Sequence, residues 1–139
     1  LPHFKAADVL CFGGGNEQYL AKAIRDSGVA ERLTEFLNTK VYMGISAGSM
    51  VTGQFPSHEL MSVVYPEEVF EELAPPLGYV HCLFIPHLNA DYFTHVRKET
   101  LDTLKPFSHP LYACDDHAAL RVVDGTITPV GEGETLVWS

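Results

Sequence analysis

Short apolar runs alternate with amphipathic stretches along most of the chain. Residues 8–12 (DVLCF) form a run that breaks at Gly13-Gly14-Gly15, as a buried parallel strand entering a loop does. Residues 17–26 place Tyr19, Leu20, Ala23 and Ile24 at helical spacing, behind Asn16, a side chain suited to cap the first turn. Residues 29–37 repeat the helical spacing, and residues 41–45 (VYMGI) return to a strand. A further apolar stretch, residues 79–85, stops at Pro86. Residues 91–104 read as an amphipathic helix through Phe93, Val96, Thr100, Leu101 and Leu104, and residues 111–114 as another buried strand.

This alternation predicts an α/β fold in which helices sandwich a mostly parallel sheet. The end of the chain differs. Residues 118–123, the Asp124-Gly125 turn, residues 127–130 and residues 136–138 predict consecutive antiparallel strands, a C-terminal hairpin region. Between Gln54 and Pro76 the pattern is weak, with residues 66–73 the candidate for a short helix. No repeat or low-complexity linker divides residues 1–139, so they are read as a single domain.

Composition narrows the function. A formal net charge of -9 opposes the basic surface that phosphate neutralisation requires, which argues against a nucleic-acid partner. An acidic substrate would need a local cationic pocket. No run approaches the roughly 18 apolar residues of a membrane span, and no basic flank with an apolar core opens the chain, so no membrane partner is expected and the expected location is the cytoplasm. Cys11, Cys82 and Cys114 each sit in or beside an apolar run without metal-type spacing and are read as reduced, packed thiols. The chain opens on Leu1 with a strand signal inside its first ten residues, which leads us to expect sequence upstream.

Candidate chemistry gathers at the carboxyl ends of the expected strands. Gly44-Ile45-Ser46-Ala47-Gly48 fits Gly-x-Ser-x-Gly between a strand and a helix-compatible stretch, where small residues let the chain turn sharply and expose the hydroxyl. A serine at its ordinary pKa is a weak nucleophile and needs a base and an orienting acid. His87 follows residues 83–85, and Asp115 and Asp116 follow residues 111–114, so all three converge on the edge that carries Ser46. The Ala47 N–H at a helix start could receive an oxyanion, and the side-chain-free backbone of Gly14 and Gly15 could supply a second donor. A dinucleotide fingerprint is excluded because Gln18 stands where its third glycine would fall. His87, Asp91 and His95 recur every fourth residue but do not complete a zinc ligand set, so no metal is expected.

Four segments in order, CFGGGN (residues 11–16), GISAGSM (44–50), FIPHLN (84–89) and YACDDHAAL (112–120), resemble the peptidase E or aspartyl dipeptidase family, relatives of the cyanophycinases. The resemblance implies a class I glutamine amidotransferase-like fold, lacking here the family's first βαβ unit, with a serine in place of a cysteine nucleophile. It implies Ser46 as nucleophile, His87 as base and Asp116 as acid, with Asp115 the alternative because the doubled aspartate lets the alignment slip by one. In the α/β-hydrolases the acid precedes the histidine, whereas here the acid pair follows it. Asn16 and Asn89, which close two of the segments, are expected to line the substrate site. Arg97 is the nearest match to an arginine that binds the acidic side chain in members preferring N-terminal Asp.

The activity so implied is hydrolysis of short peptides, with dipeptides bearing N-terminal Asp as candidates, through an acyl-enzyme and with no cofactor. An esterase or amidase using the same residues, or a catalytically silent amidotransferase-like binding module, is the alternative. Without the first βαβ unit an edge or an apolar surface would be left uncovered, so a homodimer or higher homo-oligomer is expected.

Overall fold

In the computed structural model, which describes residues 1–139, the elements run α1 (Pro2–Ala6), β1 (Val9–Phe12), α2 (Glu17–Asp26), α3 (Val29–Phe36), β2 (Val41–Gly44), α4 (Ala47–Met50) and α5 (His58–Val64). They continue through β3 (Leu83–Ile85), α6 (Lys98–Thr103), β4 (Leu111–Cys114), β5 (Ala118–Val123), β6 (Thr126–Gly131) and β7 (Thr135–Trp138). Strand β1 pairs in parallel with β2, Val9 opposite Val41 and Phe12 opposite Gly44. Strand β3 pairs in parallel with β4, Leu83 opposite Leu111. The two pairs are linked through the segment after α4, where the Gln54 N–H donates to the Cys82 carbonyl at 2.8 Å.

Each strand pair has its own core. Leu10 and Phe12 of β1 pack with Ala21 and Ile24 of α2 and with Val29, Leu33 and Phe36 of α3, the faces their helical spacing predicted. Ile85, Leu111 and Ala113 pack with Leu60, Met61 and Val64 of α5, with Leu88 and Val96 from the loop after β3, and with Leu101 of α6. On β1 and β2 the alternate residues Val9, Cys11, Val41 and Met43 are exposed, so helices cover these two strands on one face and the expected sandwich is one-sided here. No helix is long and apolar enough to cross a membrane.

Three local expectations are corrected. The helix expected over residues 91–104 is confined to Lys98–Thr103, because the preceding residues close successive turns instead. In those turns Ala90 N donates to His87 O, Phe93 N to Ala90 O, Val96 N to Phe93 O and Asn89 N to Val96 O, and this path also buries Val96. Residues 66–73 form no helix; the helix of that region is α5, capped by Ser57, whose hydroxyl accepts from Leu60 N at 3.2 Å. The last strand, β7, pairs antiparallel with β4 rather than extending the hairpin, because its alternate side places Trp138 in the second core, where the indole N–H reaches Asp102 at 2.8 Å. The remaining hairpin, β5 with β6, turns at Asp124 and Gly125, both at positive φ as a two-residue turn requires. The short helix α1 was not foreseen at all.

Candidate active site

The turn from β2 into α4 is built by close approach of backbone. A Cβ at Gly48 would overlap the Phe12 carbonyl oxygen, and one at Gly44 would lie 2.5 Å from the Gly48 carbonyl oxygen. Ile45 N donates to Phe12 O at 2.9 Å, Gly48 N to Gly13 O at 3.0 Å, and the Tyr42 hydroxyl to Gly48 O at 2.6 Å. These bonds hold Ser46 at φ 55° and ψ -113°, a conformation that costs a non-glycine residue about 1–3 kcal/mol. The strain lifts its hydroxyl clear of the helix it precedes: Ser46 makes no side-chain capping bond.

His87 meets that hydroxyl from the end of β3. Its Nε2 lies 2.9 Å from Ser46 Oγ, and its Nδ1 lies 2.8 Å from Asp116 Oδ1. The backbone at His87 is also left-handed, φ 67°, which turns the side chain off the strand toward Ser46. The imidazole stacks on Phe93 with centroids 4.8 Å apart, and Phe93 in turn meets Tyr65 nearly at right angles, at 84°. Tyr65 donates its hydroxyl to Pro86 O at 3.0 Å, so one aromatic column fixes both the ring and the chain that carries it.

The doubled aspartate separates cleanly. Asp115 Oδ1 accepts from His117 N at 2.9 Å and Oδ2 from Glu134 N at 2.7 Å, which ties the turn after β4 to the start of β7. Asp116 faces His87, and its second oxygen accepts the hydroxyl proton of Tyr92. The Tyr92 oxygen lies also 3.2 Å from His87 Nδ1. Hydrogen bonds from Tyr92 and from His87 hold the Asp116 carboxyl below the usual carboxylate range, while the bond to Asp116 holds the Tyr92 hydroxyl above its own.

The remaining expected residues fall as follows. Gly14 lies against Ser46, since a Cβ there would be 3.6 Å from Ser46 Cβ; Gly15 follows at φ 118°. Ala47 opens α4, where a helix start leaves N–H groups without intrahelical acceptors. Asn16 caps α2 through its side-chain oxygen, accepting from Gln18 N and Tyr19 N, and lines a cleft of about 420 Å³ together with Tyr19, Glu68, Val69, Glu71 and Leu73. Asn89 donates its amide to Glu134 at 3.0 Å, across to the strand that Asp115 anchors. Arg97 is turned into its own loop: the guanidinium donates to Phe93 O and Val96 O at 3.0 Å and to Ala90 O at 3.1 Å. Asp91 and His95 share no helical face with His87, because the segment between them is turns.

Burial also shapes the charge beside the cleft. Glu17, nearly inaccessible at the start of α2, is pushed above the ordinary carboxylate range by desolvation, and Glu68 is pushed the same way by burial and then by the Glu17 charge. Tyr92, Phe93 and Tyr65 were missed by sequence reasoning. A helix carried back to His87 would put Tyr92 roughly 140° around the axis from it, so only the turns bring the two together.

Residues 3–130 match the family model described as Peptidase family S51. Among solved structures the chain is similar to a protein from Listeria monocytogenes EGD-e provisionally named a peptidase E. The TM-score is 0.63 at 21% identity, over 99% of this chain and 63% of that one, so the chain spans under two thirds of that protein and the likeness is one of mixed α/β fold. No curated protein matches the sequence.

Proposed function

The chain belongs to peptidase family S51, and on that footing we propose that it is a serine peptidase in which Ser46 attacks the peptide carbonyl, His87 is the base and Asp116 the acid. The observation that carries this reading is the continuous chain of contacts from Ser46 Oγ to His87 Nε2 at 2.9 Å and from His87 Nδ1 to Asp116 Oδ1 at 2.8 Å.

In the resting site His87 carries its proton on Nδ1, directed to Asp116, and accepts from the Ser46 hydroxyl at Nε2. As Ser46 Oγ bonds to the carbonyl carbon, its proton passes to Nε2, and the imidazolium so formed is stabilised by the Asp116 carboxylate. The Ala47 N–H and the Gly14 or Gly15 N–H receive the oxyanion, at positions fixed before the substrate arrives. The same proton then goes to the leaving amine. Water, deprotonated by His87, hydrolyses the acyl-enzyme and restores Ser46.

Short peptides are the substrate class we propose, bound along the cleft that begins where the glycine loop ends, with Asn16 on its wall. A preference for N-terminal Asp would rest on Arg97, whose three loop bonds leave only part of its fork free. The expected homo-oligomer draws support from the exposed apolar strip of Val9, Val41 and Met43, and light scattering across dilution checks it. The test of the function is hydrolysis of a dipeptide panel followed by mass spectrometry. Turnover by the parent chain and none by Ser46→Ala is the expected result; hydrolysis of simple esters alone would assign an esterase, and silence of both proteins would leave a binding module.

A further inference from the structure

The proposed triad leaves one polar contact unused. Asp116 is 42% exposed, and an exposed carboxylate has other rotamers and water available to it. What keeps it on His87 is a second anchor. Tyr92 donates its hydroxyl to Asp116 Oδ2, the oxygen His87 does not use. With its proton so committed, the phenol oxygen turns a lone pair toward His87 Nδ1, 3.2 Å away, where it can share the N–H that goes chiefly to Asp116 at 2.8 Å. The Tyr92 ring meets the imidazole at 65° with centroids 5.5 Å apart, and lies 5.2 Å from Phe93, which backs the imidazole from its face.

We propose that Tyr92 is a positioning residue for the site, holding Asp116 in register with His87 and limiting the negative charge that the imidazolium meets. This rests on the serine peptidase reading above. Tyr92 reaches the reacting atoms only through Asp116 and His87. Its own position depends on the turns after His87, where Arg97 binds the carbonyl of Phe93 and those of Ala90 and Val96.

The sign of its electrostatic effect follows from the groups that face the triad. Asp116 is held low first by Tyr92 and then by His87, with His117 of the following turn acting in the same direction. Glu68, from the loop after α5, also senses His87. Removing the phenol hydroxyl takes away the largest of the influences that lower Asp116, so its titration must move up, toward the ordinary carboxylate range.

Tyr92→Phe keeps the ring and its aromatic contacts while deleting the hydroxyl. We expect kcat/KM to fall roughly tenfold, the weight of one exposed charge-assisted hydrogen bond, with the loss in kcat rather than KM and the melting temperature unchanged. The Asp116 carboxyl, followed by carbon-13 NMR, should titrate at higher pH in the variant, and this readout needs no turnover. An unshifted Asp116 titration together with an unchanged kcat/KM would overturn the role of Tyr92 and leave the peptidase reading standing. A shifted titration in a chain that hydrolyses nothing would retain the contact and overturn the reading it serves, and the role in catalysis with it.

Discussion

Asp115 and Asp116 are neighbours whose carboxylates point to different parts of the molecule: Asp115 bonds the main chain of His117 and Glu134, and Asp116 bonds the His87 ring. The first joins a turn to a strand, and the second completes a hydrogen-bonded line to Ser46. A family resemblance cannot separate two identical adjacent residues, but their partners can.

Their substitutions should therefore diverge. Asp116→Asn keeps the shape but not the charge that stabilises an imidazolium, and kcat/KM should fall by about 10³- to 10⁴-fold with little change in melting temperature. Asp115→Asn cannot accept both main-chain N–H groups equally well, and its effect should appear chiefly as lost stability of about 1–3 kcal/mol, read from urea unfolding. The reverse ranking of activities would move the acid to Asp115.

Arg97 is predicted to act through its loop. Removing the guanidinium frees the carbonyls of Ala90, Phe93 and Val96, and with them the turns that set Phe93 under His87 and Tyr92 beside it. Arg97→Ala should lower kcat/KM for Asp-initiated and apolar dipeptides alike, and Arg97→Lys should restore little, since one ammonium cannot replace a planar fork across three acceptors. A loss confined to Asp-initiated peptides would give Arg97 the substrate role instead.

The glycines at the site should not be equivalent. Gly48→Ala drives a methyl into the Phe12 carbonyl and should destabilise the chain by about 1–3 kcal/mol or more, with the Ser46 turn distorted. Gly13→Ala opens into free space at an ordinary φ and should be close to silent in unfolding by urea. Equal stabilities would mean that the approach of α4 to β1 is looser than described.

Much of this architecture is legible in the sequence because its strands are short, apolar and sharply punctuated. Gly13 and Pro86 follow β1 and β3 where the apolar runs stop, and β2 closes at Gly44, one residue short of its run, which places Ser46 and His87 at strand ends from the sequence alone. What local pattern cannot carry is pairing at a distance. Residues 136–138 look like a third hairpin strand until Trp138 finds Asp102 and the second core. Phe93, Val96, Leu101 and Leu104 satisfy helical spacing whether or not a helix forms, and here residues 90–97 close successive turns in place of the first half. The same misreading hid Tyr92. Choosing between Asp115 and Asp116 depends on Glu134, which lies in the neighbouring strand connection and carries no local signal.

The central claim, that Ser46 is a nucleophile activated by His87, is tested most directly by labelling with a fluorophosphonate and locating the adduct by mass spectrometry. A single adduct on Ser46 is predicted, absent from Ser46→Ala and formed at least about a hundredfold more slowly in His87→Ala, because the hydroxyl then has no base to take its proton. No adduct in the folded parent chain, or an adduct on Ser46 that forms at the same rate without His87, would contradict the account.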